Sequence, residues 1–350
     1  MRIASAASAF PKNQYDQYVL LSALKRHWGP KMENPQFIER LHSRVGVDTR
    51  NLALTIEEYE ALTSWKQAND HWISIATDLG SEALAAACAR GGIDPKQLGA
   101  IYFVSVTGIA SPSVDAKIIN RLSLSPQIKR VPVFGLGCVA GAAGLARAAD
   151  YVRGFPDQVA AVVSVELCSL TLQQEDLSVA NLISSGLFGD GAAAVLVAGA
   201  DVGGIDGPQV LATRSVFYPE SEHVMGWDIS DKGFRIVLSR EVPEVVDQHL
   251  AGDVDAFLAS EGKTRADIGS WILHTGGPRI LEATARALQL PPGALDTSWE
   301  CLRRTGNLSS ASVLCVLEEF LMNKRPSPGI YSLLAAMGPG FCSELVLLRW

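Results

Sequence analysis

Hydrophobic residues in this chain occur in short runs that are bounded by polar or Gly-rich turns, and these runs alternate with longer segments rich in Ala and Leu. The runs Val131–Phe134 and Trp271–Leu273 are typical of buried strands. Residues 139–151 and 308–321 have the length and the small, aliphatic composition of helices. Buried strands that lead through Gly-containing turns into helices predict an α/β fold.

Two parts of the chain share the same pattern. Residues 93–104 and residues 263–274 each consist of a polar turn, then Leu-Gly or Ile-Gly, then an apolar strand. Further along each part, a Gly-X pair precedes a helix, with Cys138 as X in the first part and Asn307 in the second. The shared spacing predicts an internal duplication that places these two residues at equivalent helix starts. Because the residue-by-residue match is weak, chance similarity is the alternative.

A segment dense in Gly and Asp, residues 200–208, is the best candidate for a boundary within the chain. It would separate an N-terminal half, 1–199, from a C-terminal half, 200–350. With 350 residues, 48% of them hydrophobic, the chain can bury a large core as one domain or as two fused halves. The net charge of −7 argues against nucleic acid as the main partner.

The six cysteines show neither a CxxC pair nor the Cys/His spacing of a metal site, so we expect no metal and no disulfide framework. Such cysteine usage suits a reducing cytosol and predicts a cytoplasmic protein. No stretch approaches the ~20 apolar residues of a membrane span. The N-terminus indicates a first strand that ends at Pro11 rather than a signal peptide.

Cys138 is the first candidate for chemistry, since it stands between a Gly-Leu-Gly turn and a predicted helix. Unpaired backbone N–H groups and the positive end of the helix macrodipole favour the thiolate, which is the nucleophilic form. His274 ends a predicted strand before a Gly-rich turn, where α/β folds bind ligands. Taken singly, the ordinary interpretations are a buried thiol, a turn histidine and, for Asn307, an N-cap. Taken together, the three residues provide a nucleophile, a proton partner and an amide donor.

Five motifs mark the chain in a distinctive order. They are Gly137-Cys138 followed by Ala-Gly, Leu187–Ala194 (Leu-Phe-Gly-Asp-Gly-Ala-Ala-Ala), His274–Pro278 (His-Thr-Gly-Gly-Pro), Gly306–Ser310 (Gly-Asn-Leu-Ser-Ser) and Gly338-Pro-Gly340. In this order and spacing they resemble the type III polyketide synthases, the chalcone synthase-like enzymes of the thiolase superfamily. The resemblance covers nearly the whole chain, and it implies a thiolase fold in which two pseudo-symmetric halves form a layered αβαβα core.

The resemblance also implies an acyltransferase that condenses malonyl-coenzyme A (malonyl-CoA) onto an acyl-CoA starter. By resemblance, Cys138 accepts the starter and carries the growing chain, and His274 and Asn307 complete the catalytic set. The chemistry agrees, because a thiolate attacks thioesters and because imidazole and amide donors stabilise the enolate that forms when malonyl-CoA loses carbon dioxide. His274 should also pair with the thiolate and lower its pKa. No cofactor is implied beyond the CoA substrates.

Further positions are assigned by the resemblance. Phe188 matches the aromatic gatekeeper between the CoA tunnel and the reaction cavity. Arg40 and Arg44, four apart on one predicted helix face, match CoA-binding positions together with Gly276 and Gly277; a solvated arginine face is the other interpretation of the two arginines. The remaining cavity positions are Val106, Thr107, Ser111, Cys168, Thr171, Trp227, Ile236 and Ser309.

The pattern around Cys168 and Trp227 resembles bacterial alkylpyrone and alkylresorcinol synthases, which implies a fatty acyl starter. Trp227 stands where plant enzymes have glycine and should block their type of elongation pocket. Ser111, before Pro112, stands where plant enzymes have a methionine that crosses a dimer interface, so we expect a homodimer that pairs through the loop 108–113. The alternatives are a ketoacyl–carrier-protein synthase III and a non-catalytic thiolase-fold partner subunit. The turn after His274 and the Gly-Pro-Gly motif argue against the first, and the intact catalytic set argues against the second.

Overall fold

Nine strands form the central sheet of the protein, whose computed structural model describes residues 1–350. The protein has thirteen strands in all, four of which form two separate ribbons. In chain order, they are β1 (Arg2–Ala9), β2 (Asn13–Asp16), β3 (Thr49–Leu52), β4 (Leu98–Val104), β5 (Lys129–Val133), β6 (Val159–Leu167), β7 (Asp190–Ala198), β8 (Gln209–Phe217), β9 (Met225–Ser230), β10 (Gly233–Leu238), β11 (Ile268–Leu273), β12 (Tyr331–Gly338) and β13 (Cys342–Arg349). The helices are α1 (Gln17–Trp28), α2 (Gln36–His42), α3 (Ile56–Ala61), α4 (Trp65–Gly91), α5 (Val114–Leu122), α6 (Ala140–Gly154), α7 (Val179–Leu187), α8 (Val242–Ser260), α9 (Pro278–Leu288), α10 (Asp296–Thr305) and α11 (Ser312–Met322).

The central sheet divides at the contact between β1 and β8. Its strand order is β11-β12-β13-β8-β1-β7-β6-β4-β5. Strands β1 and β8 share a single residue pair, Arg2 with Gln209, whereas β6 and β7 are paired along their whole length. The nine strands therefore form two sheets that meet at one edge. The Gly- and Asp-rich segment 200–208 lies between β7 and β8, where the chain passes from one sheet to the other.

The two sheets have the same topology. In the first, β4 is parallel to β6, β6 is antiparallel to β7, and β7 is antiparallel to β1. In the second, β11, β12, β13 and β8 repeat this series in the same order. Helix α4 precedes β4 as α8 precedes β11, and α6 precedes β6 as α11 precedes β12. The predicted pseudo-symmetric halves are confirmed, although β5 has no counterpart in the second sheet.

Helices α6 and α11 lie between the two sheets, and this central layer holds the largest hydrophobic cluster. A second cluster joins the outer face of the first sheet to α4 and α5, and a third joins the outer face of the second sheet to α8 and α9. Strand β6 shows how the sequence builds these layers. All nine of its residues are buried; Ala160 and Val162 face the central helices, whereas Ala161 and Val163 face α4. The predicted αβαβα layering is confirmed.

Smaller elements lie outside the central sheet. They include α1, α7 and the ribbons β2–β3 and β9–β10. The loop after β4 contains a cis peptide bond between Ser111 and Pro112, as the resemblance implied. None of the helices combines the length and the apolar composition that crossing a membrane requires.

Candidate active site

Cys138 lies in a single 3₁₀ turn, Gly137–Val139, between β5 and α6. Gly137 has a φ of +51°, and a Cβ at this position would lie 2.8 Å from the ring of Pro339. The turn therefore requires glycine, and its close approach to Pro339 brings the end of β12 onto the cysteine. Cys138 is 6% exposed and lines a cavity.

Strand β12 also positions His274. The backbone N–H of His274, directly after β11, donates to the carbonyl of Ala335 in β12 (3.1 Å). At the end of β12, Gly338 packs so tightly on the Cys138 turn that a Cβ would lie 2.6 Å from the Val139 nitrogen. The ends of β11 and β12 thus bring His274 and Cys138 to the carboxyl edge of these parallel strands, where α/β folds place their sites.

Asn307 precedes a second 3₁₀ turn, Ser309–Ala311, which packs against the Cys138 turn. Its side-chain oxygen accepts a hydrogen bond from the Ser309 N–H (2.8 Å), which orients the amide so that Nδ2 is available as a donor. The two turns are also linked directly, since the Cys138 sulfur lies 3.7 Å from Ser309 Oγ. Ser309 has a φ of +47°, a costly conformation for a residue with a Cβ that is typical of functional sites.

The predicted equivalence of Cys138 and Asn307 is wrong in detail. The 3₁₀ turn before α6 has Cys138 at its centre, and the 3₁₀ turn before α11 has Ser310 at its centre. Asn307 lies before its turn because Gly306 reverses the chain after α10. With a φ of +71°, Gly306 passes so close to the Leu187 carbonyl oxygen that a Cβ would lie 2.7 Å from it. Gly137 and Gly306 therefore have different structural roles, although both produce a Gly-X pattern in the sequence.

The ionisation of Cys138 and His274 differs from the prediction. Burial raises the pKa of the Cys138 thiol to about 12; the hydrogen bond to Ser309 opposes the rise, and the nearby Glu166 carboxylate adds to it. Burial lowers the pKa of His274 to about 4. No hydrogen bond joins the two side chains, so both are neutral at pH 7, and desolvation outweighs the backbone N–H groups of the turn.

A cavity of about 220 Å³ adjoins Cys138. Arg50 and Tyr59, which the sequence analysis did not single out, contribute to its lining. The structure also brings together here nearly all positions that the resemblance assigned to the cavity, namely Val106, Thr107, Cys168, Thr171, Phe188, Trp227, Ile236 and Ser309. His274 and Asn307 are not part of the lining.

Trp227 is held firmly at the cavity wall. Its indole Nε1 donates to the Val106 carbonyl (2.9 Å), and its ring packs against Phe234, with 5.9 Å between the ring centres. Trp227 also pairs with Ile236 across the ribbon β9–β10, so both residues reach the cavity from one ribbon. The indole therefore forms a fixed boundary of the cavity on this side.

Several predicted positions lie away from the cavity. Ser111 is exposed, as are Arg40 and Arg44. Helix α2 ends at His42, so the two arginines do not share a helix as predicted. The chain just after Arg44 nevertheless runs beside the turn that contains the remaining CoA-binding candidates. A Cβ on Gly46 would lie 3.0 Å from Pro278, which directly follows Gly276 and Gly277.

Glu166 is a buried carboxylate that the sequence analysis missed. It accepts hydrogen bonds from the Val106 N–H (3.1 Å), the Thr107 hydroxyl (2.9 Å) and the Ser105 hydroxyl (3.3 Å). It also accepts one from the Ser310 hydroxyl in the second half of the chain. A sequence signal existed, because Glu166 is the only charged residue of the apolar strand β6. The carboxylate ties the loop after β4 to the turn beside Cys138.

Glu166→Gln is expected to reduce the pH dependence of stability. Burial raises the pKa of Glu166 from 4.5 to about 7. The folded protein therefore keeps a proton that the unfolded chain has lost, and this group makes stability fall as pH rises from about 4.5 through 7, by roughly 3 kcal/mol. Glutamine does not titrate, so this contribution should disappear.

Urea unfolding at pH 5 and pH 8 measures the effect as the change in the free energy of unfolding. Asp190, whose pKa burial raises to about 6, titrates in the same window. The difference between wild type and variant therefore isolates Glu166. An identical pH dependence in both proteins would show that Glu166 does not hold the proton.

Comparisons with known proteins agree with this geometry. Residues 33–202 match the family described as chalcone and stilbene synthases, N-terminal domain, and residues 209–350 match the C-terminal domain of the same family. The 1,3,6,8-tetrahydroxynaphthalene synthase of Streptomyces peucetius subsp. caesius is 48% identical over 99% of this chain and 93% of its own length. A putative chalcone synthase of Bacillus subtilis (strain 168) is 38% identical over 87% of this chain and 86% of its own length.

A solved structure shows the same likeness over the whole chain. The crystal structure of 1,3,6,8-tetrahydroxynaphthalene synthase from Streptomyces coelicolor A3(2), a bacterial type III polyketide synthase, matches with a TM-score of 0.94 and 29% identity over 100% of this chain and 99% of its own. The predicted fold class is confirmed, and the carrier-protein synthase alternative is set aside. The chain belongs to the chalcone and stilbene synthase family and is a type III polyketide synthase, an acyltransferase that works by Claisen condensation.

Proposed function

We propose that this enzyme uses malonyl-CoA as both starter and extender. The resulting polyketide chain is then cyclised into a polyhydroxylated aromatic product with fused rings. The relative with 48% identity is named for such a product, 1,3,6,8-tetrahydroxynaphthalene. The structural observation that best supports this proposal is the size of the cavity beside Cys138. At about 220 Å³ it exceeds the roughly 150 Å³ apolar cavity that holds benzene, and this size suits two fused rings.

In the proposed reaction, Cys138 accepts the starter. Its sulfur attacks the thioester carbonyl, the C–S bond to CoA breaks, and the CoA thiolate leaves and receives the cysteine proton by way of an intermediate acceptor. Because burial holds the pKa of the thiol at about 12, the proton needs an acceptor. We assign this role to His274, which burial keeps neutral and which must approach the thiol more closely than it does in this structure.

Asn307 and His274 act in the next step of the proposal. Malonyl-CoA loses carbon dioxide, and the electron pair of the broken C–C bond forms an enolate. The Asn307 Nδ2 group and the imidazole N–H donate hydrogen bonds to the enolate oxygen. The enolate carbon then attacks the acyl group on Cys138, forms the new C–C bond and displaces the sulfur, which is free for the next round. The three catalytic assignments belong to this proposal, as does Phe188 as gatekeeper.

The substrate CoA is assigned to the surface where the segment of Arg44 meets the turn of Gly276 and Gly277. Backbone N–H groups at the start of α9 and an exposed arginine form a suitable environment for phosphate. Arg40, exposed on α2, extends the same positive charge.

A fatty acyl starter, the preference of the sequence analysis, is the second candidate. Apolar residues in the lining of the same cavity favour it, because an alkyl chain packed against them would be partly shielded from water. They include Leu20, Ala23, Leu24, Ile56 and Leu172. A starter bound here would give alkylpyrone- or alkylresorcinol-type products.

Incubation with malonyl-CoA alone, followed by mass spectrometry of the products, tests the choice of starter. We expect full product formation from malonyl-CoA alone and no change in product mass when hexanoyl-CoA or palmitoyl-CoA is added at equal concentration. Product that forms only in the presence of an acyl-CoA would overturn the malonyl starter and support the fatty acyl candidate.

Trp227→Gly is expected to admit alkyl starters or to lengthen the product, because it removes the fixed wall of the cavity. Loss of a fully buried indole costs about 3–5 kcal/mol; Trp227 is half-buried, so we expect a smaller loss of stability, and a melting curve accompanies the product profile. Ile229→Gly is the matched control, since Ile229 lies on the same strand but is 62% exposed. A folded Trp227→Gly enzyme with wild-type products would exclude Trp227 from setting product size.

A homodimer is part of the proposal. Strand β5 forms an edge of the sheet, and two large apolar side chains near it are exposed, Phe134 at 48% and Ile109 at 49%. An unpaired edge strand beside exposed apolar residues favours association with a second copy. Ile109 and Ser111 lie in the loop 108–113 that the sequence analysis assigned to the interface.

Sedimentation at low micromolar concentration should give twice the chain mass of 37.4 kDa, and Phe134→Asp should shift the enzyme toward the single chain. Met322→Asp is the control, because Met322 is similarly exposed, at 54%, but is the last residue of α11. A wild-type species of 37.4 kDa alone would contradict the dimer.

A further inference from the structure

Arg50, in β3, is buried, with 3% of its surface exposed, and lines the cavity. The alternation of the strand turns Arg50 inward between partly exposed neighbours. Burial lowers the pKa of its guanidinium to about 10, an effect that the nearby Asp190 opposes, so the charge persists at neutral pH. Its hydrogen bonds nevertheless go to neutral groups. Nη1 donates to the Phe188 carbonyl (2.6 Å), and Nε donates to Gln17 Oε1 (3.1 Å).

The segment that Arg50 binds is the one that holds Asn307. The Asn307 N–H donates to the Leu187 carbonyl (2.9 Å), and the Gly189 N–H donates to the Asn307 carbonyl (3.0 Å). Phe188 and Asn307 consequently form an isolated parallel bridge. The Phe188 carbonyl, between these two bonds, is the one that accepts from Arg50, so the guanidinium completes the backbone hydrogen bonding of the bridge.

The aliphatic part of Arg50 contacts the other side of the same bridge. A Cβ on Gly306 would lie 3.1 Å from Arg50 Cδ and 3.2 Å from Cγ, so the stem packs against the residue before Asn307. Gln17, which accepts from Arg50, donates its own amide to the Gly186 carbonyl (2.8 Å). The Leu187 carbonyl accepts the Asn307 N–H. Arg50 binds the carbonyl after it, that of Phe188, and Gln17 binds the carbonyl before it, that of Gly186.

We propose that Arg50 is a positioning residue that fixes the Asn307 amide and the Phe188 ring and acts on the reaction through them. The proposal rests on the role assigned to Asn307 under the proposed function. A planar guanidinium makes both hydrogen bonds in one fixed geometry, which the single ammonium of lysine does not reproduce. Displacing a catalytic group by about 1 Å can cost 10²-fold in rate. A small shift of the Phe188–Asn307 bridge would therefore be enough to slow the reaction.

Two half-reactions test the proposal. Starter loading is measured as the mass of the acyl-enzyme, and malonyl-CoA decarboxylation is measured as acetyl-CoA release. Arg50→Met keeps the stem and removes the donors, and it should lower decarboxylation by about 10²-fold while loading stays within a few-fold. Arg50→Lys should fall between wild type and Arg50→Met. In Arg50→Ala, millimolar guanidinium should restore part of the lost decarboxylation.

Two further variants complete the test. Gln17→Leu removes the Arg50–Gln17 hydrogen bond and the Gln17 bond to the Gly186 carbonyl but leaves the bond from Arg50 to the Phe188 carbonyl, and it should show a smaller but equally selective loss in a folded enzyme. Arg2→Met is the matched control, because Arg2 Nη1 also donates to a backbone carbonyl, that of Gly207 (2.8 Å), but at the seam between β1 and β8. It should leave both half-reactions unchanged.

Equal losses in both half-reactions of Arg50→Met, or unchanged decarboxylation in that variant, would overturn the positioning role. If Asn307→Asp itself spares decarboxylation, the assigned role of Asn307 fails instead. The two failures are therefore distinguishable. If only the positioning role of Arg50 fails, Asn307→Asp still loses decarboxylation selectively; if the role of Asn307 fails, it does not.

Discussion

Cys138→Ala is expected to abolish starter loading and condensation while the protein remains folded. The sulfur is the only proposed attachment point for the acyl chain, and removing a covalent nucleophile lowers rates on the order of 10⁶-fold. Alanine fits the site, because it is smaller than cysteine and because the only side-chain hydrogen bond of the buried Cys138 is the 3.7 Å contact with Ser309. Mass spectrometry of the protein after incubation with malonyl-CoA detects loading, and a melting curve verifies the fold.

Cys168→Ala is the matched control for this experiment. Cys168 is a second buried thiol in the same cavity, and burial raises its pKa well above the ordinary value. We expect Cys168→Ala to load the starter as wild type does. Labelled acyl-enzyme in Cys138→Ala together with none in Cys168→Ala would identify Cys168 as the nucleophile and would refute the assignment of Cys138.

The duplicated elements were predictable because their signals are local. Residues 93–104 and 263–274 each contain a polar turn and an apolar run, and the structure forms β4 and β11 there. The position of Asn307 relative to the 3₁₀ turn before α11 was not predictable in the same way. Gly306 and Gly137 look alike in sequence, and each approaches a distant residue, Leu187 and Pro339 respectively, but Gly137 lies inside its 3₁₀ turn whereas Gly306 lies before the turn Ser309–Ala311. Only the folded structure reveals that difference.

The cavity was largely predictable from the family resemblance, whereas its buried charges were not. Glu166 and Arg50 derive their roles from partners on distant segments, such as Ser310 and Phe188. A single sequence does not show these contacts. The ionisation of Cys138 was mispredicted for a related reason, since the helix-start argument is local while the desolvation that raises its pKa comes from the whole fold.

Asn307→Asp is expected to lower malonyl-CoA decarboxylation by about 10²–10³-fold, the usual effect of losing one oxyanion donor, while starter loading stays within a few-fold. The aspartate retains the oxygen that accepts from the Ser309 N–H at 2.8 Å, so the turn beside Cys138 should persist. It replaces the Nδ2 donor by an acceptor, and this acceptor would face the developing enolate with repulsion added to the lost hydrogen bond. Acetyl-CoA release and acyl-enzyme mass are measured in parallel.

Asn307→Ala separates the donor from the structural role of the side chain. Alanine removes both the Nδ2 donor and the acceptor for the Ser309 N–H, and leaving that buried N–H unpaired costs about 1–3 kcal/mol. We therefore expect Asn307→Ala to impair both half-reactions, whereas Asn307→Asp, which keeps the acceptor for the Ser309 N–H, should lose mainly decarboxylation; because Asn307 is buried, a melting curve of each variant accompanies the rates. If Asn307→Asp impairs loading and decarboxylation equally, the amide holds the site together and does not stabilise the enolate, because an enolate donor acts only in the step that forms the enolate.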